Sequence, residues 1–189
     1  MTDPADNPLS GGAADTPSLL HTLLAARRDV ASPLAALGAG EIAFAYFFDP
    51  ALVLCARAAG IGARVEVELG GRLDARFGAP VAATATVIKL TDGRFTNSGP
   101  MEHGSSVTLG PTAVLAIEGI HVVVTSTVGA ANDAAFFALH GIDPEQVRLL
   151  CVKAKNHFRA AFAPICAAII DVDCPGPAAA DIAGLSRRQ

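Results

Sequence analysis

The sequence predicts an α/β layered domain built on a mixed β-sheet that contains antiparallel hairpins and has flanking helices. Apolar runs of strand length are interspersed with stretches of helical spacing. Two such runs, 113–117 and 121–126, are separated only by Glu118-Gly119, the signal of a tight hairpin. The strands neither follow a repeated strand–helix unit nor run evenly enough for a barrel, which leaves a mixed sheet.

The first fourteen residues, rich in Pro, Gly, Asp and Asn, are expected to form a loop. Asp15-Thr16-Pro17 offers a cap with proline at the first helical position, and Leu19, Leu20, Leu23 and Leu24 recur at helical spacing, so a helix is expected over 17–28. Residues 42–48 form an apolar run of strand length. Asp49-Pro50 then repeats the cap-plus-proline device for a helix to Ala59, closed by Gly60 and Gly62. Val65 to Leu69 alternates strictly, giving a strand with one wet face, and 81–90 alternates again. A polar loop, Phe95 to Ser106, precedes strands at 107–109, 113–117 and 121–126. Short helices are expected at 133–139 and after Asp143-Pro144, a buried strand at 147–152, a helix at 156–168 and a last strand at 169–172.

The chain of 189 residues is long enough to bury a core. Its division is a glycine-containing loop over 1–14, one domain over 15–175 and a flexible tail over 176–189. With 51% apolar and 17% charged residues it is not a disordered sequence. A net charge of −4, with lysine only at Lys89, Lys153 and Lys155, argues against a nucleic-acid partner. The N-terminus lacks the basic and apolar regions of a signal peptide, and the most apolar stretch, 34–59, is broken by Glu41, Asp49 and Pro50. No membrane partner and a cytoplasmic location are expected. Cys55, Cys151, Cys166 and Cys174 form no C-x-x-C pair, so buried free thiols are expected.

Three segments concentrate chemistry. The first, Asp6 to Asp15, is a glycine-bearing loop leading into a helix; it suits ligand approach but reads more readily as a plain capped loop, and lacks the lysine of a phosphate-binding loop. The second, Thr91 to Gly104, gathers Asp92, Arg94, Asn97, Glu102 and His103, a density that fits substrate recognition or an ordinary surface. The third, Cys151 to Phe162, places Lys153 at the end of a strand and His157 and Arg159 at the start of the helix expected after it. His21, His103, His121, His140 and His157 show no metal-ligand spacing, and no nucleophile motif of serine or cysteine is present, so neither catalytic nor metal-ligating residues are assigned.

In order, the segments DNPLSGGAADT, YFFDPALVLCARAAGIGARVEVELGGRLD, TDGRFTNSGPM, LGPTAVL, HVVVTS, GIDP, VKAKNHFRAAF and DVDCPGP resemble the C-terminal domain of the MlrC-like (microcystin-degradation protein) zinc metallopeptidases. The resemblance runs from Asp6 to Pro177. It implies a two-part hydrolase whose larger N-terminal part carries the zinc ligands, while the C-terminal part packs on it and helps close a cleft for a small or cyclic peptide. Zinc then belongs to the complete enzyme, with none expected on this chain alone. The implied partners are the zinc-bearing N-terminal domain and a peptide substrate, with a homodimer as a further possibility. Asp6, Asn7, Arg94, Asn97, His103, Lys153 and His157 are the expected cleft-facing residues. Family members read D-N-P-G-G-G where this chain has Leu9 and Ser10, and a lysine-serine pair where it has Lys153-Ala154. A docking domain should expose an apolar face. The alternatives are a non-catalytic binding or structural domain that has lost its enzyme partner, and a free-standing hydrolase whose histidines converge on a metal.

Overall fold

The structure, a computed structural model, describes residues 1–178. In chain order its elements are α1 (Ser18–Arg28), β1 (Ile42–Phe48), α2 (Pro50–Ala59), β2 (Arg64–Leu69), β3 (Val81–Thr91), β4 (Arg94–Thr96), β5 (Ser106–Thr108), β6 (Thr112–Ile117), β7 (Ile120–Thr125), α3 (Ala134–Leu139), β8 (Leu149–Val152) and α4 (Arg159–Phe162). Six strands form one sheet in the order β2-β3-β6-β7-β1-β8, and β4 and β5 pair separately. β1 lies parallel to both β7 and β8, whereas β2–β3, β3–β6 and β6–β7 are antiparallel. The sheet is therefore mixed, as the sequence predicts.

Around β1 both faces of the sheet are covered, which explains why β1 reads as continuously apolar, whereas β2 alternates and keeps one exposed face. On one face Ile42, Phe44 and Phe47 join Leu115, Val122, the leucines of α1 and Leu52 of α2. On the other, Ala43, Ala45 and Tyr46 meet Val114, Val123, Phe136, Phe137, Phe158 and Phe162. Strict alternation would send Tyr46 to the first face. The register of β1 against β7 shifts between Ala45 and Phe47, and the shift delivers Tyr46 to the second. Each of Leu19, Leu20, Leu23 and Leu24 is almost fully buried, and withdrawing such a side chain from water is worth about 2 kcal/mol.

The hairpin at Glu118-Gly119 has positive φ at both positions, 48° and 84°, the backbone twist that suits a two-residue connection. Asp49 caps α2, its Oδ1 accepting from Leu52 N at 2.9 Å. Asp15 does not cap α1. That helix begins at Ser18 behind Pro17 with no side-chain cap, and the Asp15 carboxylate instead accepts from Leu73 N at 2.7 Å.

Other expectations need correction. The helix expected over 156–168 is confined to Arg159–Phe162; Ala163 keeps helical backbone, but Pro164 has no N–H to donate and the ladder stops there. Asp143-Pro144 opens only a turn, with Gln146 N and Val147 N both donating to Asp143 O. No strand spans 169–172: Asp171 makes a single bridge to Thr2, because Pro4 turns the N-terminal segment away. The polar connection at 95–106 is partly a hairpin, since its ends belong to β4 and β5. All four cysteines are free, but only Cys151 is buried, and Cys55 is exposed. The expected tail is still attached at its start: Gly176 is buried against Ala5, and Ala178 N donates to Ala5 O at 2.8 Å. The rest of it, 179–189, lies outside the described residues. No described helix is long and apolar enough to cross a membrane.

Candidate functional site

The opening loop is folded around one buried carboxylate. Asp6 Oδ1 accepts from Ala13 N and Ala14 N, each at 3.0 Å, and Oδ2 accepts from Thr16 N at 2.7 Å, Thr16 Oγ1 at 2.9 Å and Lys153 Nζ at 2.5 Å. Lys153 Nζ also donates to Thr16 O at 2.6 Å and lies 4.7 Å from the centre of the Phe47 ring. Both partners of the pair are about 1% exposed or less. Burial alone would raise the Asp6 carboxyl, but the Lys153 ammonium and the Thr16 hydrogen bonds more than offset it and hold it below the usual carboxylate range. Burial pulls the Lys153 amine down, against the pull of Asp6. Three acceptors around Nζ call for the protonated form, so the pair is ionised. The neighbouring Asp3 carboxyl is pushed up by burial and by the Asp6 charge, against the Lys153 ammonium.

Glycine is required in this loop at two places. Gly11 has φ +92°, and a Cβ at Gly12 would lie 2.3 Å from the Asp6 carbonyl carbon. Leu9 and Ser10, where the resemblance leads one to expect glycine, sit in a short 3-10 turn without positive φ. The replacements therefore do not disturb the turn, which Asn7 makes by accepting from Leu9 N and donating to Ser10 Oγ.

A second buried carboxylate organises the polar connection. Asp133 accepts from Ser98 N at 3.2 Å, Ser98 Oγ at 3.2 Å, Gly99 N at 2.7 Å and Ala135 N at 2.8 Å, so it caps α3 and clamps the 98–99 limb together. Its burial would raise the carboxyl, but these donors win and lower it. Beyond the clamp, Asn97 Nδ2 donates to Glu102 Oε2 at 3.2 Å. The third wall is held by Tyr46, whose hydroxyl donates to Gly129 O and accepts from Gly129 N, both at 2.7 Å.

These pieces enclose a cavity of about 660 Å³. Pro8 and Leu9 come from the N-terminal loop, Asn97, Met101 and Glu102 from the hairpin connection, Gly129, Ala130, Asn132 and Asp133 from the segment before α3, and His157 from the third chemical segment. Leu9, Met101 and Val128, at 55%, 50% and 41% exposure, form an apolar rim. Four stretches separated by up to about 150 residues of chain thus meet at one place.

Of the expected cleft-facing residues, Asn97 and His157 line the cavity. Asp6 and Lys153 lie buried, fixing the loop whose Pro8 and Leu9 form a wall, and Asn7 shapes its turn. Arg94 and His103 are exposed on the hairpin outside the lining, with His103 Nδ1–H donating to Ser98 O at 3.0 Å. Asp133 and Glu102 were missed as site residues. A cap position before an apolar helical run marked the first, and the second stands within the polar cluster of residues 91–104.

The described residues do not fit a zinc ion. No group of three or more His, Cys, Asp or Glu among them converges. His140 uses both ring nitrogens, Nδ1–H donating to Phe136 O at 2.7 Å and Nε2 accepting from Thr112 Oγ1 at 3.0 Å. His21 is hydrogen-bonded to Ala79 O, and Asp133, which lines the cavity with His157, already has four donors.

The profile of the MlrC C-terminus family matches residues 1–189. Microcystinase C of a Sphingomonas species is 24% identical over 172 residues, which cover 91% of this chain and 31% of that protein. The fold is similar to a crystal structure from Mesorhizobium sp. BNC1 named a "Putative metallopeptidase", with a TM-score of 0.79 and 30% identity over 95% of this chain and 34% of that one. The chain therefore spans about a third of the length of the proteins it matches. With whole-chain agreement in sequence and fold, the chain belongs to the MlrC C-terminus family.

Proposed function

We propose that this chain works as the substrate-facing C-terminal domain of a metallopeptidase, seated on a separate N-terminal part that carries the zinc, and shaping a cleft for a small or cyclic peptide. The observation that supports the reading is the convergence of all three chemical segments on one cavity with an apolar rim. Contiguous apolar exposure around a concave site is where a partner or a ligand gains most from leaving water. Asn97, Asn132 and His157 supply hydrogen-bonding groups for a peptide backbone, and the Asp6–Lys153 pair and the Asp133 clamp keep the walls in place. Metal chemistry is assigned to the other part, and this chain contributes binding and orientation.

The test is reconstitution. The chain is mixed with the zinc-bearing N-terminal part of a family member, and association and hydrolysis of a short peptide are followed together. A stable complex that hydrolyses the peptide, where neither part does so alone, is the expected result. Absence of both association and hydrolysis would favour a binding domain that has lost its enzyme.

A further inference from the structure

We infer that the cavity recognises a basic side chain of its peptide, with Glu102 as the residue that selects the positive charge; the inference rests on the cleft reading above. The lining is chemically lopsided. Its fully charged groups are the carboxylates of Glu102 and Asp133, and neither lysine nor arginine is among the lining residues. The five ion pairs among the described residues engage Asp6, Asp49, Asp74, Glu118 and Asp171, leaving both cavity carboxylates without a cation there.

The two carboxylates are not equivalent. Asp133 is buried and its oxygens receive four hydrogen bonds, so it contributes negative potential but has little capacity for a further partner. Glu102 is exposed and receives one side-chain hydrogen bond, on Oε2 from Asn97. Its Oε1 is free among the described residues to accept from a ligand. A carboxylate with one oxygen steadied by an amide and the other open suits a guanidinium or ammonium tip.

The remaining walls match the rest of such a side chain. Leu9, Met101, Val107 and Val128 provide an apolar path for its methylenes, and the unbranched methionine adapts to the stem. An acidic side chain entering the same space would meet two like charges in a partly desolvated cavity, which disfavours it. His157 is the other titratable lining group.

The test uses the full chain and small probes of matched shape: N-acetyl-arginine amide, its neutral isostere N-acetyl-citrulline amide, and N-acetyl-glutamate amide. Binding is followed by amide chemical shifts. The arginine probe should perturb residues 97–102 and 128–133 and bind roughly ten-fold more tightly than the citrulline probe. The glutamate probe should be weakest. Glu102→Gln, at an exposed position, should erase the preference for arginine over citrulline while the spectrum of the sheet residues is unchanged. Equal binding of arginine and citrulline probes, shifts confined to another surface, no binding, or a preference that survives Glu102→Gln would overturn the inference. Its failure is separable from that of the cleft reading: a complex that forms and hydrolyses peptides without charge preference sinks this inference alone, and arginine selectivity in a chain that never associates sinks the docking.

Discussion

Asp6 bears more of the architecture than any other side chain near the cavity. It terminates the hydrogen bonds of three backbone amides, one hydroxyl and one ammonium, and through them it sets the path of residues 6–16. Asp6→Asn removes the counter-charge of a fully buried lysine, and breaking such a pair from one side costs about 3–5 kcal/mol. Urea denaturation should show that loss, with Lys153→Met in the Asp6→Asn background recovering part of it as the orphaned charge disappears. His140 gives a separate pH signature. Burial lowers its pKa from 6.5 to about 4, helped by the Lys89 charge and opposed by the Phe136 hydrogen bond. Between those values the unfolded chain binds the proton and the folded chain does not, so stability is complete above about pH 6.5 and falls as pH drops toward 4. The fall should be on the order of 3 kcal/mol. The same denaturation repeated at steps of pH checks it: His140→Gln should flatten this window, and an unchanged slope would remove His140 as its source.

Among the elements, the hairpin β4–β5 and the segment before α3 depend on one cap. Asp133→Ala deletes the α3 cap and the 98–99 clamp together, and an N-cap loss alone costs about 1 kcal/mol. Hydrogen exchange should quicken at the Ser98, Gly99 and Ala135 amides far more than in β6 or β7, whereas uniform quickening would mean Asp133 serves global stability instead. Elements whose ends were set by local chemistry were legible in the sequence. The run at 42–48 and the Asp49-Pro50 helix came out as expected because apolar length and a cap residue act within a few positions. Long-range competition was not legible. Asp15 looked like the cap of α1, yet its carboxylate faces Leu73, fifty-eight residues onward, and nothing near Asp15 signals that partner. Pro164, by contrast, was visible within the helix expected at 156–168 and marks why the helix that begins at Arg159 does not run on to 168. The site shows the same division. Its three segments could be singled out by polar density, but spacing along the chain does not distinguish Asn97 and His157, which reach the cavity, from Arg94 and His103, which do not.

For the whole molecule, the proposed docking rests on how the exposed apolar residues are arranged. Leu9, Met101 and Val128 come from three separate segments and meet around the cavity, on the side of the sheet covered by α3 and the hairpin. Leu54 is more exposed than any of them, at 66%, but belongs to α2, which packs on the opposite face. If the cavity side meets the N-terminal part of the enzyme, Met101→Glu should weaken that association about ten-fold or more, since a charge would enter a desolvated contact. The chain's own melting temperature should hardly change, because Met101 is half exposed before association. Leu54→Glu provides the control with the same chemistry on the other face, and its complex should form as tightly as the unmodified one. Titrating each variant against the N-terminal part compares them directly. A complex sensitive to Leu54→Glu and indifferent to Met101→Glu would move the docking face to α2, leaving the cavity open to solvent and its rim without the role assigned to it.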